Sequence, residues 1–300
     1  MGSRSHFKKA GGAPAFLLYE GIMFSTVVST EQLAQHLTDP AWAVIDCRFT
    51  LTNSEAGRAA YAQGHVPEAR YAHLDEDLAG PKNGRNGRHP LPDAQAFAQK
   101  LGAWGIDADT QVVVYDDSFG AIAVRLWWML RWMGHDTVAL LDGGLPKWQR
   151  EQRPLNPDVP QVTAKVFKAQ VRHDMVVDTD AVLRATSALI VDARAEMRFI
   201  GEIEPLDPVA GHVPGAKNLP FDDNLAHDGT LLPATELRER YTELLEGKAP
   251  EQVIHMCGSG VTTCHNLLAM EIAGLKGGKL YAGSWSEWIT DPSRPVAKGY

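Results

Sequence analysis

The sequence predicts an α/β protein of two domains in tandem, each a parallel sheet with helices on both faces. Three observations predict it. Short apolar runs of strand length alternate with helical stretches, the pattern of a parallel sheet covered on both sides. Four motifs occur twice in the same order: AVIDCR (43–48) and LIVDAR (189–194), GHVPEA (64–69) and GHVPGA (211–216), QVVVYD (111–116) and QVIHMC (252–257), LLDGGLPKW (140–148) and LYAGSWSEW (280–288). Their offsets of 146, 147, 141 and 140 residues are nearly constant, so the repeating unit is a whole domain rather than a solenoid turn. Finally, 300 residues with 44% hydrophobic and 22% charged side chains suffice for two ordinary cores and exclude a disordered or fibrous chain.

Each element follows in order. Residues 1–22 read as vector-derived sequence or an extended start. Their apolar core is little more than Ala15–Leu18 and no small-residue cleavage site follows, so they fit a signal peptide poorly. The native start is expected at Met23, where MFSTVVSTEQLAQHL begins a helical pattern. The runs Trp42–Ile45, Val112–Tyr115, Val138–Leu141, Ala188–Val191 and Val253–Met256 are bounded by polar residues or glycine and read as buried strands. Helices are expected over Asp93–Trp104, Ile122–Met133, Asp178–Thr186 and Thr235–Leu245. The stretch 151–167, with Pro154, Pro157 and Pro160 and no periodicity, reads as a linker. The expected domains are therefore 23–150 and 168–300, with a cleft at their interface.

Charge and cysteine content narrow the function. Lys and Arg number 29 against 37 Asp and Glu, a formal charge of −8, and no basic stripe is present, so a nucleic-acid surface is not expected. A small anionic substrate remains compatible, because a few nearby cations outweigh a distant net charge. No apolar run approaches the roughly 18–20 residues of a membrane span. Three cysteines, Cys47, Cys257 and Cys264, cannot build a disulfide framework and fit a reducing, cytoplasmic compartment.

Duplication supplies an internal control: a feature in both halves is structural, and a feature in one half is the better functional candidate. Asp46/Arg48 and Asp192/Arg194 recur at matched strand ends and read as buried ion pairs. His65 and His212, each followed by Val-Pro, read as loop organisers, and Trp148 and Trp288 as core. The clearest asymmetry is Cys257-Gly258-Ser259-Gly260-Val261-Thr262, between a strand and a helix, where the first half holds Asp116-Asp117-Ser118-Phe119-Gly120-Ala121. Helix-start N–H groups and the helix dipole favour an anion there, and glycines let successive amides curl around a sulfur. Such a site lowers a thiol pKa from about 8.5. Cys264 and Cys47 read as structural.

The duplicated layout, DGGLPKW (142–148), GHVPGA (211–216) and CGSGVT (257–262) resemble the two-domain rhodanese family of sulfurtransferases, over nearly all of 23–295. The resemblance implies tandem rhodanese-like domains, with a catalytic Cys257 in the C-terminal one only. It implies transfer of a sulfane sulfur from 3-mercaptopyruvate or thiosulfate to cyanide or a thiol through a Cys257 persulfide. The loop Gly258, Ser259, Gly260, Val261 and Thr262 would hold the sulfur. No organic cofactor or metal is implied, and the acceptors include a thioredoxin-like partner. Arg198, in DARAEMRFIGE (192–202), fits the family's anion-binding arginine; its first-half counterpart is Thr52. Guanidinium suits sulfonate or carboxylate oxygens.

The donor stays open at this level. CGSGVT is similar to mercaptopyruvate-type members, whereas thiosulfate-type members resemble CRKGVT, with two cations beside the sulfur. Mercaptopyruvate-type members also carry an arginine after Glu-Pro, where EIEPLDP (202–208) has Leu206. The loop touches the reacting sulfur and carries the greater weight. A thiosulfate:cyanide sulfurtransferase and a persulfide carrier without its own donor are the alternatives; a carrier would not require Arg198. A Cys-x5-Arg phosphatase is excluded, because the sixth residue after Cys257 is Thr263.

Overall fold

The computed structural model describes residues 23–300; residues 1–22, and with them the reading of an extended start, lie outside the described residues. The first half runs β1 (Val27–Val28), α1 (Thr30–Gln35), β2 (Trp42–Asp46), α2 (Ala56–Gln63), β3 (Ala69–Tyr71), α3 (Ala94–Ala103), β4 (Gln111–Tyr115), α4 (Ala123–Trp132), β5 (Val138–Leu141) and α5 (Gly144–Arg150). The second runs β6 (Val176–Val177), α6 (Thr179–Arg184), β7 (Leu189–Asp192), α7 (Glu196–Phe199), β8 (Lys217–Asn218), α8 (Ala234–Leu245), β9 (Val253–Met256), α9 (Thr263–Ile272), β10 (Lys279–Tyr281) and α10 (Ser284–Trp288). Each half forms a five-stranded sheet, in the orders β1-β5-β4-β2-β3 and β6-β10-β9-β7-β8, which are the same order twice. Every strand pair is parallel.

Alternation along the strands explains the two-sided cover. In β2 and β4, Ala43, Ile45, Val112 and Val114 face one core with Phe97 and Leu101 of α3. Val44, Val113 and Tyr115 face the other, with Leu33 of α1 and Leu145 and Trp148 of α5. The second sheet repeats this. Leu189, Val191 and Val253 pack on Leu237, Tyr241 and Leu245 of α8, while Ile190, Ile254 and Met256 pack on Val182, Trp285 and Trp288. Both repeated tryptophans are thus core.

One expectation is corrected. The segment from Met23 does not open in a helix: Val27 and Val28 pair with Leu140 and Leu141 as an edge strand. The helix starts only at Thr30, where Ser29 Oγ accepts from the Gln32 amide at 3.1 Å and Gln32 Oε1 accepts from the Ser29 amide at 2.9 Å. The Ser-x-x-Gln box sets that start, and the two β-branched valines prefer the sheet. No helix or strand lies between Arg150 and His173. That segment is strapped along the first domain, through His65–Asn156 backbone pairing and the Lys165 amide on the Gly102 carbonyl.

The halves meet through α4 and α9. Nine of ten residues of α4 and eight of ten of α9 are buried, as befits helices covered on all sides. Trp127 and Trp128 share one core with Val261, Cys264 and Leu267. This packing places the loop after β9 against the first domain.

Candidate active site

The recurring pairs prove structural. Arg48 Nη2 reaches Asp46 at 2.7 Å and the Gly64 carbonyl at 2.8 Å; Arg194 Nη2 reaches Asp192 and the Gly211 carbonyl, both at 2.7 Å. His65 stacks on Tyr61 and His212 on Phe199, each with ring centroids 3.8 Å apart, and each ring donates from Nδ1 to the carbonyl of its stacking partner. The second contact anchors α7, the single turn that carries Arg198.

Cys257 lies buried directly after β9. Its own amide donates to Ser284 Oγ at 3.1 Å, and its carbonyl and that of Gly258 accept from the amides of Trp285 and Ser286. Behind the loop stands Gly260, at φ +73°, where a Cβ would lie 2.2 Å from the Ala282 carbonyl oxygen. Among the described residues, the five amides from Gly258 to Thr262 donate to no protein acceptor.

The first half shows what such a loop holds. Asp116 stands where Cys257 stands. Its carboxylate accepts from the amides of Ser118 and Gly120 through Oδ1 and of Ile122 and Ala123 through Oδ2, all at 2.8–2.9 Å. The strand-to-helix loop is an anion cradle that the first half fills with its own side chain. In the second half the shorter cysteine leaves the amides uncommitted.

Cys257, Gly258, Ser259, Val261, Thr262 and Arg198 line one cavity of about 80 Å³. Gly260 does not line it. Arg198 is held by Glu204, through Nε at 3.1–3.2 Å and Nη2 at 2.8 Å, and Nη2 also reaches Asp207 at 3.1 Å. Its Nη1 has no partner among the described residues. Burial raises the Glu204 pKa, but hydrogen bonds from Arg198 and from the Leu206 and Asp207 amides outweigh it and hold the group below its ordinary value. At Asp207 burial wins, and the pKa is raised despite Arg88 and Arg198. Leu206, 40% exposed, also lines the cavity and is no buried loop anchor.

The rest of the wall comes from the first domain: Leu51, Leu74, Arg88, His89 and Ile122. His89 Nδ1 lies 2.8 Å from Ser259 Oγ, and its Nε2 faces Asp75 at 3.6 Å. Burial, aided by Arg125, Lys82 and Arg88 against Asp75, pushes the imidazole pKa down to about 3, so the ring is neutral. With its proton on Nε2, toward Asp75, the ring accepts the Ser259 hydroxyl proton at Nδ1. Arg125 of α4 is fully buried without a carboxylate partner among the described residues. It donates to the carbonyls of Gly260 at 2.9 Å, His89 at 3.0 Å and Leu78 at 3.4 Å. One cation thus ties the cysteine loop to the histidine segment.

Asp75, Arg88, His89 and Arg125 were not picked out by the sequence reading. A signal existed. Leu91-Pro92 recurs as Leu232-Pro233 at the offset of 141, and Arg88-His89 then faces Gly229-Thr230 in the second half. Of the four, Arg88 and His89 are thus as unmatched between the halves as Cys257 is. The other thiols are out of reach: Cys47 is buried with its pKa pushed well up, and burial pushes Cys264 up to about 12.

The buried imidazoles fix a pH dependence. Burial lowers His89 and His255 to about 3 and His265 to about 4. The unfolded chain takes up these protons near pH 6.5, so it binds more protons than the fold across that window. Their contribution to stability is complete above about pH 6.5 and is lost as pH falls toward 4. The urea midpoint is expected to drop between about pH 7 and 4.5, with His255→Gln removing about one proton from the slope. A flat midpoint would show these rings charged in the fold.

The model of the rhodanese-like domain matches residues 29–151 and again 176–291. The chain is similar to a protein of Pseudomonas aeruginosa named "Probable 3-mercaptopyruvate sulfurtransferase", at 46% identity over 91% of this chain and 98% of that one. It is 33% identical to the thiosulfate sulfurtransferase of Bos taurus, over 93% of this chain and 97% of that one. The solved 3-mercaptopyruvate sulfurtransferase from Leishmania major superposes with a TM-score of 0.79 at 29% identity, covering 90% of this chain and 75% of its own.

Proposed function

We propose, for a chain that belongs to the rhodanese family and is a sulfurtransferase, that Cys257 is the nucleophile and carries the sulfur as a persulfide taken from 3-mercaptopyruvate. The observation that carries this reading is the pair of cradles: the amides that close on the Asp116 carboxylate in the first half are uncommitted around Cys257 in the second. A thiolate or a terminal persulfide sulfur is the anion such amides stabilise.

The Cys257 thiolate attacks the donor sulfur. The S–S bond forms, the donor C–S bond breaks, and its electron pair leaves on carbon as pyruvate enolate. The enolate takes the proton that the donor thiol gives up as its sulfur is transferred, and the Ser259 hydroxyl, held by His89, lines the same cavity as the sulfur. An acceptor thiolate or cyanide then removes the terminal sulfur and restores the Cys257 thiolate. The second domain supplies the nucleophile, and the first supplies the cover and the histidine. Free thiols on enzyme and acceptor suit a reducing compartment, the cytoplasm in this reading.

Arg198 binds the donor's carboxylate through Nη1, with Glu204 fixing the rest of the guanidinium. Arg198→Ala is expected to raise KM by about 10- to 100-fold, because a hydrogen bond to a charged group contributes roughly 1.5–3 kcal/mol. An unchanged KM for every donor would make Arg198 structural. The deciding assay offers 3-mercaptopyruvate or thiosulfate with a thiol acceptor. Pyruvate release faster than sulfite release is expected. The uncharged Leu206 in the cavity wall favours thiosulfate as second reading, and faster sulfite release would establish that order instead. Release of neither pyruvate nor sulfite would overturn the proposed reaction.

A further inference from the structure

Both domains carry a hollow at the same place in the sheet, and only the first is lined by charge. In the first domain a cavity of about 420 Å³ opens between Leu37, Pro40, Trp42, Glu68 and Arg70, with Lys165 of the interdomain segment on its far wall. In the second, a cavity of about 270 Å³ is lined by Ala188, Gly215 and other uncharged residues. Strand register fixes the correspondence. Arg70 pairs with Ile45 between β3 and β2 as Lys217 pairs with Val191 between β8 and β7. Arg70 therefore matches Lys217, Glu68 matches Gly215 and Trp42 matches Ala188.

Each difference has a physical consequence. The Lys217 ammonium is paired with Glu246 at 2.6 Å. Arg70 has no carboxylate partner among the described residues: its Nη1 reaches only the Glu68 carbonyl, at 3.5 Å, and its Nε is buried without an acceptor. A buried guanidinium N–H left unpaired costs free energy that an incoming oxyanion recovers. Burial holds the Arg70 pKa below its ordinary value, against the pull of Glu68 and Tyr61. Glu68 stands at φ +64°, a left-handed conformation that Gly215 adopts at +80° without a Cβ penalty. The chain accepts that strain at an exposed carboxylate that makes no ion pair among the described residues and borders the cavity.

The other charges of the wall are engaged. Lys165 Nζ donates to Asp107 Oδ1 at 3.3 Å and to Thr110 Oγ1 at 3.0 Å. Asp39 accepts from the Ala41 amide at 2.9 Å and faces His36 at 3.4 Å. Arg70 and Glu68 are the cation and the carboxylate that remain for a ligand. Beside them the wall is apolar, with Leu37, Pro40 and the Trp42 indole, which stacks on His36 at 4.2 Å between ring centroids. The interdomain segment packs closely on the first domain: a Cβ at Gly105 would lie 2.9 Å from Val162 Cγ1 and 3.2 Å from the Thr163 carbonyl oxygen. None of these residues lines the Cys257 cavity.

We propose that this cavity is a second binding site, for a free amino acid with an apolar side chain: Arg70 takes the carboxylate, Glu68 the ammonium, and Leu37, Pro40 and Trp42 the side chain. Its volume is that of a small-molecule pocket. Opposite charges two residues apart select a zwitterion over a simple anion, which Glu68 repels.

Calorimetric titration of the full chain with L-phenylalanine tests the site. Saturable binding of one molecule per chain is expected. 3-Phenylpropionate, which lacks the ammonium, and phenethylamine, which lacks the carboxylate, should each bind about tenfold or more weakly. Arg70→Gln should lose affinity for L-phenylalanine by a similar factor, and Arg198→Ala, in the other cavity, should not. Glu68→Gly takes the residue that the second half already uses in this conformation and is expected to stay folded; it should bring L-phenylalanine and 3-phenylpropionate to similar affinity. Absence of saturable binding to the wild type overturns the site. So does binding that Arg198→Ala weakens and a folded Arg70→Gln does not, because the ligand then sits beside Cys257. Wild-type affinity for 3-phenylpropionate equal to that for L-phenylalanine overturns the amino-acid assignment. Where Arg70→Gln does not fold, Glu68→Gly decides, and an unchanged preference for L-phenylalanine in that variant overturns the proposal.

Discussion

Cys257→Ser is expected to reduce pyruvate release to below about 10⁻⁴ of the wild-type rate, the scale of loss when a covalent nucleophile is removed. A serine hydroxyl has neither the acidity nor the polarisable sulfur to accept a sulfane atom. Cys264→Ser and Cys47→Ala are expected to keep most activity. Cys264 lies at the start of α9 in the core, 3.5 Å from the Gly260 carbonyl, with its thiol pushed up to about 12. Cys47 is buried beside Asp46, and both burial and that carboxylate oppose its thiolate. Donor without acceptor should leave one added sulfur atom on the peptide that contains Cys257. Substantial turnover by Cys257→Ser, or the added sulfur on the Cys264 peptide, would move the active site.

Gly260→Ala is the second large effect. The position has φ +73°, and its Cβ would lie 2.2 Å from the Ala282 carbonyl oxygen, a backbone atom with no freedom to swing aside. The loop must then shift by about 1 Å, and a displacement of that size at a reacting group costs on the order of 10²-fold in rate. The Arg125 contact to the Gly260 carbonyl is disturbed by the same movement. Gly247→Ala is the control: its φ is +82°, but nothing lies within 4 Å of the added Cβ. It carries the same backbone strain, about 1 kcal/mol, without the collision. A loss of kcat/KM in Gly260→Ala, absent in Gly247→Ala, with both proteins folded, separates loop placement from strain. Equal activities would show that the loop tolerates displacement.

The structure also revises how Gly258 is understood. From the sequence, Gly258 and Ser259 look like the removal of two cations from beside the sulfur. In the fold a cation is present there, supplied by Arg88 from the other domain. Ser259 is likewise not a bare replacement, since its hydroxyl is held by His89 at 2.8 Å.

What the sequence determined by itself is local or repetitive. The tandem α/β architecture was legible because buried parallel strands are continuous apolar runs and because the duplication doubled every signal. The Cys257 loop was legible because thiol, glycines and helix start lie within a few residues, so the anion cradle is written in one stretch of chain. Arg198 was legible only through family resemblance, and its clamp by Glu204 needed the fold. The strands of two or three residues, β1, β3, β6, β8 and β10, were too short to show a period. Tertiary structure alone decided who faces Cys257. Arg88 meets Asp207 and Ser286 across 119 and 198 residues, His89 meets Ser259 across 170, and Arg125 meets Gly260 across 135. No local propensity encodes such pairs. They exist because the helices α4 and α9, buried on nearly every side, pack against each other, and that packing brings the charged loops of one domain over the thiol of the other.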